Sequence, residues 1–131
     1  MNSSLTPERK SEIMLQNIST SDCGVIAAQA VTGLNRQKCV DACTKDGDYQ
    51  EGQGIARGGL NRTLLALGYK LTMIRLDPHE TVATLAMRCE YGKFLVYTDG
   101  HVSALIDGYP HNARGDWHTP VEEAYKVEAR S

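Results

Sequence analysis

Apolar positions recur at helical spacing through the first half of the chain and alternate at strand spacing in its last third. Thr6 to Met14 starts with a threonine cap, Pro7 at the first helical position and Glu8 in the first turn, which predicts a short peripheral helix. A polar loop, Gln16 to Ser21, leads to Asp22–Gly33, a run of small and apolar residues capped by Ser21 or Asp22 and stopped by Gly33. This pattern predicts a buried central helix. Asn35 caps a third helix reaching about Lys45, with Cys39, Val40, Ala42 and Cys43 on its inner face. Asp46 to Gly59 holds five glycines and no periodicity, so it is expected to be a mobile loop bordering a site. A fourth helix is expected from about Leu60 to Gly68, with Leu60, Leu64, Leu65 and Leu67 as its apolar face. A strand over Tyr69–Leu76 and a short helix over Thr81–Arg88 follow.

Lys93–Thr98, His101–Ile106, Tyr109–Ala113 and Ala124–Glu128 read as strands, joined in part by Asp99-Gly100 and Asp107-Gly108 turns. Helices followed by an antiparallel sheet define an α+β domain. Its 131 residues, 41% of them hydrophobic, suit one domain spanning 1–131.

Composition narrows the function classes. Fourteen basic against 16 acidic residues give a net charge of -2 with no block of one sign, so neither nucleic acid nor anionic lipid is an expected partner. No apolar run approaches the roughly 18 to 20 residues that span a bilayer, and Met1–Met14 lacks the apolar stretch of a signal peptide. The expectation is a soluble, cytoplasmic protein whose four cysteines are thiols.

Two residues stand out chemically. Cys23 falls in the first turn of the central helix, where backbone N–H groups and the helix dipole favour an anion and hence a thiolate nucleophile. His101 opens a strand directly after Asp99-Gly100, so it can project from the end of an otherwise packed sheet. A helix N-terminal cysteine and a strand-borne histidine are what a Cys-His hydrolase site needs. Cys39, Cys43 and Cys89 lack a CxxC pair and read as packing residues. The glycines of 52–58 match no phosphate loop, and His79, His111 and His118 read as surface residues.

The strings SDCGVIAAQAVTG and GKFLVYTDGHVSALIDGYPHN resemble the papain-like cysteine peptidase superfamily, in particular its compact C39-like and phage-encoded members, over about Gln16 to Val127. The resemblance implies a nucleophile helix packed on a C-terminal antiparallel sheet, with Cys23 as nucleophile and His101 as general base and acid. It also implies an Asn or Asp that orients the histidine. If Asp107-Gly108 is a two-residue turn, His101 lies opposite about Arg114, and residues 112 and 116 become its diagonal neighbours. Asn112 is favoured, because Tyr109 to Asn112 still reads as strand, and Asp116 is the alternative; Asp107 reads as a turn residue. The family's oxyanion-hole glutamine falls to Gln16, one residue farther from the cysteine than usual, with Asn17 at the usual spacing. The expected activity is cleavage of a peptide or other amide bond in a protein or peptide, without metal or organic cofactor. By analogy the target is a host or phage protein. A silent domain that binds a peptide, and an acyl transferase or deamidase using the same site, are the rival readings.

Overall fold

The computed structural model describes residues 22–50, 53–111 and 118–130. Among them are four helices, α1 (Cys23–Thr32), α2 (Arg36–Gly47), α3 (Arg57–Ala66) and α4 (Val82–Arg88). Five strands complete the fold: β1 (Tyr69–Met73), β2 (Lys93–Thr98), β3 (His101–Ile106), β4 (Tyr109–His111) and β5 (Glu123–Ala129). The strands form one antiparallel sheet of order β1-β5-β2-β3-β4, so the domain is α+β as expected. The expected helix at Thr6–Met14 lies outside the described residues.

Helices cover both faces of the sheet, and alternation along the central strands sorts their side chains between them. Leu95 and Tyr97 of β2 and Val102 and Ala104 of β3 join Val25, Val31, Cys39, Leu60 and Leu64 in a core beneath α1, α2 and α3. Phe94, Val96 and Leu105 face the other way, into a second core with Val82, Leu85, Ala86 and Cys89. The sheet therefore separates Cys39 and Cys43 from Cys89, and all three thiols are buried packing residues. Burial pushes each of them up, Cys43 to about 11 with the neighbouring Cys39 adding to the effect against a Thr63 hydrogen bond.

Local signals explain most boundaries. Gly33, in the left-handed region, stops α1, and its N–H donates to the Gln29 carbonyl. The Asn35 side chain accepts from the Lys38 N–H at the start of α2. Asp107 and Gly108 both have positive φ, as a type I′ hairpin turn requires, and Ile106 pairs with Tyr109 across them. Asp107 is tied to Gly92 by its N–H and its carboxylate, which makes it a turn residue as expected.

Three expectations change. α3 begins at Arg57, inside the segment expected to be loop, because Gly58 and Gly59 are helical. Leu65 is exposed; buried Thr63, whose hydroxyl donates to the Gly59 carbonyl, takes its place on the inner face beside Leu60 and Leu64. The first strand ends at Met73, beyond which Ile74 and Leu76 turn to pack on the second core.

Candidate active site

Cys23 and His101 line one cavity of about 220 Å³, together with Ile55, Ala56, Arg57, Leu60, Tyr97, Gly100 and Val102. Cys23 comes to it as the first residue of α1, which packs on β3. It is half-buried, whereas Cys39, Cys43 and Cys89 are buried. Asp22 occupies the helix-capping position, yet its carboxylate makes no cap; it accepts from Arg36 at 2.8 Å and from the Tyr49 hydroxyl at 3.1 Å. These bonds tie the first turn of α1 to α2 and to the segment after it.

His101 reaches the cavity from the first residue of β3. Strict alternation groups it with Ser103 and Leu105, on the face away from α1, so it is from the sheet's end that it reaches the cavity Cys23 also lines. Its Nδ1 is buried. Thr98 is its antiparallel partner across the Asp99-Gly100 turn, and the Thr98 hydroxyl donates to the His101 carbonyl at 3.4 Å.

The opposite wall is built on glycine. A Cβ on Gly24 would meet Ile55 Cγ2 at 2.3 Å, one on Gly47 would meet Ile55 Cδ1 at 2.5 Å, and one on Gly59 would meet Ile55 Cγ1 at 3.0 Å. Ile55 thus sits in a socket of three glycines from α1, α2 and α3, and this socket fixes it against the helix that carries Cys23. The glycine-rich stretch borders the site as expected, through close packing where a mobile loop had been expected.

Arg57 follows, at the first position of α3. Its Nη1 donates to Glu123 at 3.2 Å and its Nη2 to the Thr98 carbonyl at 3.0 Å and to Glu122. The guanidinium carbon lies 5.1 Å from the Tyr97 ring centroid. Burial disfavours its charge, but the two carboxylates outweigh this and hold its pKa above the usual value. The Tyr97 hydroxyl donates to Asn61 at 2.9 Å, and burial, with Tyr125 adding to it, pushes the phenol's pKa up, so it stays a donor.

Of the expected site residues, Cys23 and His101 are brought together, while Gln16, Asn17, Asn112 and Asp116 lie outside the described residues. The β3–β4 register, Ala104 opposite His111, is the one that a two-residue Asp107-Gly108 turn dictates. His79, His111 and His118 are exposed. Arg57, Tyr97 and Asn61 were not foreseen, because no local pattern marks residues that meet only when side chains of α3 reach the ends of β2 and β5. No protein-family model, curated protein or solved structure matches the chain.

Proposed function

We propose that this chain is a papain-like thiol hydrolase acting on a peptide or other amide bond. The observation that carries the reading is that Cys23, at a helix N-terminus, and His101, at a strand end, line one cavity despite lying far apart in sequence. His101 takes the thiol proton, and the Cys23 thiolate attacks the carbonyl carbon. His101 then returns the proton to the departing amine, which leaves an acyl-enzyme. Water, deprotonated by His101, releases the acid and restores the thiol. Asn112 or Asp116 as the group orienting the imidazole, and Gln16 or Asn17 as an oxyanion donor, remain part of the proposal on the sequence resemblance alone. No helix among the described residues is long and apolar enough to cross a membrane.

The test is the pH dependence of Cys23 alkylation by iodoacetamide, read by mass spectrometry in wild type and in His101→Ala. Selectivity for Cys23 does not suffice, because the other three thiols are buried and would lag in any case. The informative quantity is the absolute Cys23 rate at pH 6, expected to fall about tenfold or more in His101→Ala. An unchanged rate defeats the hydrolase reading and leaves a binding domain. Product analysis with an amide substrate separates hydrolysis from acyl transfer and deamidation.

A further inference from the structure

We propose that Arg57 is a positioning residue for His101: its guanidinium ties the start of α3 and the carboxylates of Glu122 and Glu123 to the carbonyl of Thr98, His101's partner across the β2–β3 turn. The proposal rests on the Cys-His reading of the cavity. The Asp99-Gly100 turn is exposed and delivers His101 to the cavity's edge. An exposed two-residue turn is held by what grips its ends, and here the grip is on Thr98. Arg57 holds the Thr98 carbonyl, and the Thr98 hydroxyl holds the His101 carbonyl.

The other end of the clamp is firm. The Tyr97 hydroxyl donates to Asn61 of α3, and its ring lies under the guanidinium and edge-on to Tyr125, with centroids 6.1 Å apart. The Tyr125 hydroxyl in turn donates to Glu123. Arg57 lines the cavity, but both terminal nitrogens are engaged with protein acceptors and two carboxylates surround its single charge. It is therefore poorly placed to receive an anionic substrate group and well placed to fix geometry. A planar fork can hold a carbonyl and two carboxylates at once, whereas an ammonium is a point charge on a flexible stem. Lysine is thus expected to keep the attraction to Glu122 and Glu123 and to lose the grip on Thr98.

The experiment uses the full chain with 13C-labelled histidine. The Cε1–H resonance of His101, assigned by substitution among the four histidines, is followed in wild type, Arg57→Lys and Arg57→Ala. The Cys23 alkylation rate at pH 6 is measured in the same proteins and in His101→Ala with and without Arg57→Lys. Expected are a shifted or broadened His101 signal in Arg57→Lys and a Cys23 rate lowered about tenfold, with no further loss when the substitution is added to His101→Ala. Thermal unfolding confirms that each variant is folded; if Arg57→Ala is not, Arg57→Lys and Glu123→Gln carry the test. A His101 signal unchanged in folded Arg57 variants overturns the proposal, as do losses that multiply in the double variant. If His101→Ala leaves Cys23 reactivity unchanged, the hydrolase reading falls, and the His101 resonance alone still decides whether Arg57 positions that ring.

Discussion

At the residue scale, Asp22 shows how a side chain can fit one role by pattern and serve another by packing. It stands where a cap belongs, yet its carboxylate is turned to Arg36 and Tyr49, and the residue is 9% exposed. A buried carboxylate is tolerated when donors satisfy it, and here the donors belong to α2 and to the segment that follows. The bonds anchor the turn that carries Cys23. Tyr49→Phe removes one charge-assisted donor while keeping the ring in the core, so a loss of about 1 to 2 kcal/mol is expected. Urea unfolding should show this as a lower midpoint at constant slope.

At the element scale, the glycines of α2 and α3 reverse the expectation drawn from propensity. Gly58 and Gly59 argue against a helix, since glycine costs about 1 kcal/mol relative to alanine in a helix interior. A Cβ on Gly59 would lie 2.2 Å from the Gly47 carbonyl oxygen, so close approach of the α2 and α3 backbones requires glycine there. Gly58 faces away, its nearest neighbour being Arg62 Nη1 at 3.5 Å. The two positions should therefore respond with opposite sign. Gly59→Ala is expected to destabilise by about 2 kcal/mol, overpacking exceeding the gain in helix propensity. Gly58→Ala should stabilise by about 0.5 kcal/mol. Thermal melts of the two variants check the pair, and equal responses would contradict the close-packing account.

At the scale of the whole molecule, a sheet covered on both faces needs α4 held in place on its second face, and a buried acid ties α4 to the segment that precedes it. Glu80, just before α4, is 5% exposed and accepts from Arg88 at 2.6 Å, from the Asp77 N–H at 3.1 Å and from the Thr84 hydroxyl. Burial alone would raise its pKa, but the Thr84 and Arg88 hydrogen bonds, the Asp77 N–H and the Arg88 charge together lower it below the usual carboxylate value. A carboxyl with a lower pKa when folded contributes stability that is present above its unfolded value of about 4.3. That contribution is lost as the pH falls through the folded value. Glu80→Gln should thus be less stable than wild type at pH 7 by about 1 to 2 kcal/mol. The gap should narrow as the pH drops below about 4, which urea unfolding at pH 7 and pH 3 would show.

Much of the architecture was written in local pattern. Strand alternation and the Asp-Gly turns marked β2 and β3 to the residue, and small apolar runs with Asn35 and Gly33 marked α1 and α2, because caps, turns and periodicity are decided by neighbours in the chain. The placement of Cys23 and His101 was legible for the same reason: each sits at an element end whose position the pattern reveals. Tertiary structure decided what depends on distant chain segments meeting. It drew Gly58 and Gly59 into helix, because the Gly47 backbone lies against Gly59. It sent the Asp22 carboxylate to Arg36 and Tyr49, because a buried charge follows its donors. It brought Arg57 and Tyr97 to one cavity, because side chains of α3 bond to the ends of β2 and β5, and no spacing in a linear chain records which ends will touch.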